Sequence, residues 1–218
     1  MDHSHQLIIN GVAKTVEKHL AGKGPSHDWY HVNRVWQLSK KIAEEEGADL
    51  FVVELAALLH DIADWKTYGG DETIGPKIAR NLLIEYALSK PIVDHVCKII
   101  VATGAAGDTA QSGINTLEGK VVQDADWLDA IGAIGVARCF AYSGEHGQTF
   151  HDPTISPQEK LTKENAILTS SSINHFREKL LKLKEKMHTK TAMEMAEDKH
   201  QFMTRFVEEF LKEWDECL

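Results

Sequence analysis

The sequence predicts an all-α protein built as a single helical bundle. Apolar residues recur at helical spacing along most of its 218 residues, and the alternation typical of strands is nearly absent. Only five prolines interrupt the chain. No internal repeat or low-complexity linker divides it, so we expect one domain over residues 1–218.

The central element of this bundle is predicted at residues 50–64. The stretch is apolar on nearly every side of a helical wheel, and Glu54 is its only charge before the end. A helix of this kind either spans a membrane or lies at the centre of a bundle. This run is too short to cross a bilayer. We therefore expect it to form the middle of the core.

Further helices are predicted on both sides of the central one. Gly47 is expected to end the second helix, and Gly132 and Gly135 indicate a bend or a close helix contact in a long later segment. A stretch rich in Gly, His, Pro and Ser, residues 143–169, is expected to cap one end of the bundle. The predicted helices cover about residues 7–20, 27–46, 72–88, 91–102, 116–142, 172–186 and 191–214.

Composition excludes several function classes. A formal net charge of -9 disfavours nonspecific binding to nucleic acid or to anionic lipid, because both require clustered Lys and Arg. We expect neither as a partner, although a local site could hold a small phosphorylated ligand.

There is no signal-like or membrane-spanning stretch, and three cysteines without a C-x-x-C indicate reduced thiols in the cytoplasm. The apolar faces of the last two helices could serve a homodimer.

Three His–Asp dipeptides occur, at residues 27–28, 60–61 and 151–152. Only His60-Asp61 stands at the end of a strongly apolar helix. Polar groups that cannot reach bulk water need a partner. The imidazole and the carboxylate can pair with each other, or both can bind a metal ion. From this pattern alone the two possibilities are about equal.

Other polar residues favour the metal. His31 lies beside the inward-facing positions of the second helix, Asp64 is one turn beyond His60, and Asp126 is flanked by apolar residues. Imidazoles and carboxylates together suit Mn²⁺, Fe²⁺, Co²⁺, Ni²⁺ or Zn²⁺ better than Ca²⁺, which prefers oxygen ligands alone. Four protein ligands leave positions open for water and substrate oxygens, as hydrolytic metals require.

His31, His60-Asp61 and Asp126 stand in the order of the H…HD…D signature, so the chain resembles the HD-domain metal-dependent phosphohydrolases. The resemblance covers about residues 5–215. In detail, the chain is similar to the bacterial YedJ/YpgQ-like branch of the family. The segments that carry this finer similarity are residues 26–31, 55–66, 70–72, 124–138 and 172–184.

The resemblance implies one HD domain with a core over about residues 26–130, on which helices at about 172–215 pack. It also implies one divalent ion, either Mn, Co, Ni, Fe, Zn or Mg. The implied metal ligands are His31, His60, Asp61 and Asp126, and Asp64 together with Asp61 would serve catalysis, with Asp64 orienting or deprotonating the attacking water.

The implied reaction is hydrolysis of a phosphate ester or phosphoanhydride, most naturally of a nucleotide. Cleavage of a nucleoside triphosphate to monophosphate and pyrophosphate is a candidate that the resemblance suggests. Lys66, Arg138 and His27 are the expected substrate contacts. For the first two the alternative is a solvated surface charge, and for His27 it is a half-exposed histidine near a helix cap.

Two departures from the family pattern leave an alternative open. Thr103 stands where relatives commonly carry a histidine, and Trp127 follows Asp126 where they often carry an arginine, which tryptophan cannot replace as a phosphate binder. A metal- and nucleotide-binding HD module with lost or weak turnover is therefore the second hypothesis. A di-iron oxidase is the third, but the chain has a single Glu-x-x-His, at residues 197–200.

Overall fold

The computed structural model describes residues 2–22, 28–63, 71, 73–104, 114–158 and 171–216. Its secondary structure is helical, with no strand in these ranges, which confirms the predicted all-α class. The chain forms two compact units, Met1–Asp126 and Trp127–Leu218. Its organisation as one domain stays a prediction.

The first unit holds five complete helices within its described part and the beginning of a sixth, α6, which ends in the second unit. The bounds are α1 His3–Leu20, α2 Trp29–Glu46, α3 Leu50–Leu59, α4 Ile74–Glu85, α5 Lys90–Gly104 and α6 Leu117–Asp129. The second unit continues with α7 Gly132–Glu145, α8 Ser172–Glu178, two 3₁₀ turns at Leu180–Lys182 and Lys184–Lys186, and α9 Lys190–Glu216. None of the described helices is long and apolar enough to cross a membrane.

Helix α3 is the centre of the first unit, as predicted. Every residue from Phe51 to Leu59 is buried, and the helix packs against α1, α2 and α5. It is shorter than predicted and ends at Leu59, because the next residues form a turn. Nδ1 of His60 donates to the carbonyl of Ala57 at 2.8 Å. One of the carbonyls left open at the helix end is thereby satisfied by a side chain.

Helices α2 and α3 form an antiparallel hairpin with well-defined ends. Asp28 starts α2 by accepting the backbone N–H of His31 at 2.8 Å. Gly47 ends it in the left-handed conformation, at φ 74°, and donates to the carbonyl of Ala43, which confirms the predicted stop. Asp49 then caps α3. This short connection brings the start of α2 close to the end of α3.

A buried carboxylate joins the two helices of this hairpin midway. Glu54 is 1% exposed, and its Oε2 accepts the indole N–H of Trp36 at 2.7 Å. Lys40 lies 3.9 Å from the same oxygen, while Oε1 has no hydrogen-bond partner in the described residues. Burial raises the pKa of Glu54 above its ordinary range, against the opposing effects of Trp36 and Lys40.

We expect Glu54→Gln to raise the melting temperature near pH 7.5 and to leave it almost unchanged near pH 4. A raised folded-state pKa means that the carboxyl group favours folding only below its unfolded pKa, about 4.3, and loses this contribution as pH rises through the folded value. The amide keeps an oxygen for Trp36 without the buried charge. Glu54→Leu leaves the indole N–H unpaired and should cost about 1 to 3 kcal/mol. Thermal unfolding across this pH range measures both, and a Gln variant less stable than the parent throughout would contradict the expectation.

The second unit begins at Trp127, near the end of α6, and continues through a break into α7. Gly132 has φ 76°, and a Cβ on Gly135 would overlap the carbonyl of Ala130, so both positions require glycine. The bend predicted at these glycines is therefore a sharp break between two helices. The helix predicted to reach residue 186 also ends early, at Glu178. Because 3₁₀ geometry places residues three apart on one face, the turns that follow bury both Leu180 and Leu183.

His175 of α8 is a buried imidazole in this unit. Burial lowers its pKa to about 4, and the nearby positive charge of Lys179 acts in the same direction. Its Nδ1 has no hydrogen-bond partner within the described ranges. The neutral ring is therefore the form that suits the folded chain.

His175 is expected to make the protein sensitive to mild acid. Because its folded-state pKa lies below the unfolded value of about 6.5, its contribution to stability is present above that pH and is lost as pH falls toward about 4. At about 1.4 kcal/mol per pH unit, the effect is on the order of 3 kcal/mol. Urea unfolding of the parent and of His175→Gln near pH 7 and pH 4.5 should show a smaller acid loss in the variant. Equal losses would contradict this account.

Candidate metal centre

Two histidines from the α2–α3 hairpin face each other. His31 lies in the first turn of α2 and is 2% exposed, and His60 lies just past the end of α3. Their Nε2 atoms are 3.3 Å apart, and the ring planes are inclined at 71°. The bond from His60 Nδ1 to Ala57 leaves Nε2 of the neutral ring as an acceptor. The hairpin therefore directs a nitrogen lone pair at the opposite ring.

Asp126 of α6 completes the cluster. Its Oδ1 is 3.5 Å from Nε2 of His31 and 3.8 Å from Nε2 of His60. These three donor atoms lie within 4.8 Å of one another, and no other group of three such side chains occurs in the described part of the chain. Asp61 approaches the same place, with Oδ2 at 4.0 Å from Nε2 of His31. The four predicted ligands thus meet in one region.

The cluster fits a small divalent ion. Atoms bound about 2.1 Å from one ion are about 3.0 Å apart in an octahedral arrangement and about 3.4 Å in a tetrahedral one. The observed separations of 3.3, 3.5 and 3.8 Å are close to these values. His31, His60 and Asp126 could therefore hold a divalent metal.

The mixed nitrogen and oxygen donors favour a transition metal over Ca²⁺. The side chain of His31 is 2% exposed and that of His60 6%, whereas that of Asp126 is 30% exposed. The cluster is thus closed on its histidine side and open to solvent on its carboxylate side. A substrate oxygen would approach from this open side.

Three predicted site residues fall outside the described ranges, and a fourth belongs to the second unit. His27, Asp64 and Lys66 fall in segments that the structure does not describe. Arg138 belongs to the second unit, where its Nη1 donates to Asp129 at 2.8 Å and the carboxylate of Asp129 is 2% exposed. One donor of the guanidinium is thus used by a buried ion pair. Its role toward substrate stays a prediction.

The two departures from the family pattern have contacts of their own. The hydroxyl of Thr103 donates back to the carbonyls of its own helix, with acceptors at 3.1 and 3.2 Å. The ring of Trp127 stacks on His188, with centroids 5.6 Å apart. Thr103 thus contacts its own helix, and Trp127 contacts a residue distant in the sequence.

The Glu197-x-x-His200 motif lacks the surroundings of a di-iron site. Lys184 lies 2.5 Å from the Glu197 carboxylate, and Gln201 donates to it at 3.0 Å. Within the described residues, neither motif residue belongs to a group of three side chains that could hold a metal ion. These contacts argue against the oxidase hypothesis.

The sequence interpretation missed one group connected to this centre. Glu118, in the first turn of α6, contacts the N-terminus of α3 and the ring of His95. An acidic residue in a first helical turn is a common pattern, and it carries no sign of a distant partner.

The comparisons with known proteins agree with this geometry. The sequence profile described as HD domain matches residues 28–131. YpgQ of Bacillus subtilis (strain 168), an uncharacterized protein, is 38% identical over 202 residues, which are 91% of this chain and 89% of YpgQ. The chain belongs to the HD-domain family.

Solved structures of this family share the fold. A protein of Lactobacillus plantarum matches with a TM-score of 0.84 and 34% identity, covering 96% of this chain and 98% of its own. An HD-superfamily hydrolase of Bacillus thuringiensis matches with a TM-score of 0.76 and 40% identity, over 97% and 98%. The structure of YpgQ in complex with ADP matches with a TM-score of 0.74 and 36% identity, over 96% of each chain. The fold is that of the HD-superfamily hydrolases.

We expect His60→Ala to weaken Co²⁺ or Mn²⁺ binding by more than the roughly 100-fold that loss of an outer hydrogen-bond partner can cause, because a donor atom itself is removed. His146→Ala is the matched control. His146 is exposed at the end of α7, and its Nδ1 likewise donates to a backbone carbonyl, that of Tyr142, at 2.8 Å. Isothermal titration with each metal measures both variants. A His60→Ala protein that binds metal as tightly as the control would contradict the assignment.

Proposed function

We propose that the protein is a metal-dependent phosphohydrolase that acts on a nucleotide. The convergence of His31, His60 and Asp126 is the observation that carries this proposal. It is supported by membership of a family that includes HD-superfamily hydrolases and by the ADP bound to YpgQ. The proposed metal ligands are these three side chains together with Asp61.

A bound divalent ion would supply a nucleophilic water near neutral pH and would neutralise phosphoryl charge. The chain's own residues would then orient the water and accept its proton. Asp64 is proposed to position the attacking water and to accept its proton, and Lys66 and His27 are proposed to contact the substrate phosphates. Arg138 is proposed as a further substrate contact.

The proposed substrate class is the nucleoside triphosphates. Water would add to the α-phosphorus in line with the leaving group. The bond from this phosphorus to the oxygen that bridges to the β-phosphorus would break, so that a monophosphate and pyrophosphate are formed. Hydrolysis at the terminal phosphate would give inorganic phosphate instead.

The alternative is a binding module that keeps metal and nucleotide but has lost or weak turnover. Two observations favour it. Thr103 and Trp127 make contacts within the chain at positions where the family pattern has a histidine and an arginine. The ADP complex of YpgQ is in itself a finding about binding.

We further propose that the protein acts in the cytoplasm as a small-molecule enzyme, either as a monomer or as a homodimer. Cys97 and Cys139 are buried free thiols, as a reducing compartment allows. Burial raises the pKa of both thiols, that of Cys139 to about 12, so neither is a ready nucleophile.

Turnover separates the two functions. Purified protein with Mn²⁺, Co²⁺ or Mg²⁺ is incubated with nucleoside mono-, di- and triphosphates, and phosphate and pyrophosphate are detected separately. Asp64→Asn is expected to lower kcat by about 100- to 10,000-fold while metal affinity is retained, because it removes a general base. Asp198→Asn, an exposed change on α9, is the control and should leave kcat unchanged.

Release of either pyrophosphate or phosphate by the parent supports the hydrolase if the Asp64 variant loses this release and the Asp198 variant keeps it. Tight nucleotide binding without product from any member of the panel supports the binding module. Equal activity in the Asp64 and Asp198 variants would remove Asp64 from the mechanism.

A further inference from the structure

The N-terminus of α6 is held by a small polar network at the opposite end of the helix from Asp126. Glu118 lies in the first turn, and its two carboxylate oxygens have different partners. Oε1 accepts the backbone N–H of Asp49 at 3.1 Å, and Oε2 lies 3.7 Å from Nε2 of His95. One side chain therefore connects α6 with the start of α3 and with α5.

Asp49, the partner at the start of α3, is itself held by hydrogen bonds to that helix. The side chain of Asp49 caps that helix and accepts the N–H groups of Phe51 at 3.0 Å and Val52 at 3.3 Å. Asp49 thus uses its side chain to start α3 and its own N–H to hold Glu118. The first turns of α3 and α6 are attached to the same residue.

The attachment on α5 is also close. Nε2 of His95 lies 3.0 Å from the hydroxyl of Thr116, which accepts the N–H of Gly119 and so caps α6. A Cβ on Gly119 would lie 3.0 Å from Ile114 and 3.6 Å from Ile99 of α5, so the first turn has little room for a side chain. Glu118 is 17% exposed and His95 28%, and a partly buried, hydrogen-bonded carboxylate holds its partners better than an exposed one.

These contacts define the register of the two helices that reach the metal centre. From Asp49 to His60 the chain advances about 16 Å, and from Glu118 to Asp126 about 12 Å, at the helical rise per residue. Both paths start at the same attachment and end at the same cluster, where Asp126 Oδ1 is 3.8 Å from His60 Nε2. A slip of α6 by one turn, about 5.4 Å, would remove the carboxylate from the histidines.

We propose that Glu118 is a positioning residue for the metal centre. It holds the start of α6 against the start of α3, so that Asp126 arrives beside His31 and His60. It acts through the helices and touches neither the ion nor the substrate. This inference rests on the proposed metal-dependent function and adds to it a determinant that lies a helix length away from the donor atoms.

The test is a Co²⁺ titration of the full-length protein, followed by the visible absorption of the bound ion. Glu118→Ala is expected to lower Co²⁺ affinity about 10-fold, the low end of the range for groups that hydrogen-bond directly to metal ligands, and to change the spectrum. Glu118→Gln keeps an oxygen for the N–H of Asp49 and should restore both affinity and spectrum. Glu17→Ala, an exposed change on α1, removes the same charge and should match the parent.

The outcomes distinguish this proposal from a general loss of stability. A Glu118→Ala protein with a lower melting temperature but the parent's Co²⁺ affinity and spectrum would overturn it. So would a Gln variant as defective as the Ala variant. If the parent itself binds no Co²⁺, the proposed function fails, and the positioning role is decided in the metal-free protein by NMR of the histidine rings. Glu118→Ala must then shift the His31 and His60 ring signals, and unchanged signals would refute the role.

Discussion

The close approach of two imidazole nitrogens, 3.3 Å apart, is the constraint on which the rest of the first unit depends. Nε2 of His60 is an acceptor at this distance, so it can take a hydrogen bond from the opposite ring or bind a cation. The α2–α3 hairpin maintains it through defined ends: a cap at Asp28, a left-handed glycine at residue 47 and a second cap at Asp49. The local rules of helix formation thus produce the geometry of a metal centre.

His60 connects the fold with the chemistry. One ring nitrogen satisfies a carbonyl at the end of α3, and the other points into the cluster. The hydrogen bond that ends the helix is also the bond that sets the tautomer and the orientation of a ligand. A helix that continued to residue 64, as the apolar pattern suggested, would use the Ala57 carbonyl for its own ladder and leave the ring without this support.

The family relationship and the departures from its pattern bear on different questions. The fold is that of the HD-superfamily hydrolases, and the cluster of this chain could hold a divalent metal. Thr103 and Trp127 bear on the proposed recognition of substrate. Thr103 contacts backbone carbonyls, and Trp127 contacts His188. Because both side chains are uncharged, neither supplies the charge that a histidine or an arginine would offer to a phosphate.

The sequence by itself determined the helical class, the central position of residues 50–59, the stop at Gly47 and the His and Asp residues that meet. These features follow from periodicity, from glycine conformation and from a spaced signature, which are properties of neighbouring residues or of a known motif. Tertiary structure alone decided the attachment of Glu118 to Asp49, the bond between Trp36 and Glu54, and the pairing of Arg138 with Asp129. Each of these joins residues on separate elements, and a charged or aromatic side chain in a helix carries no local signal of which distant partner it will find.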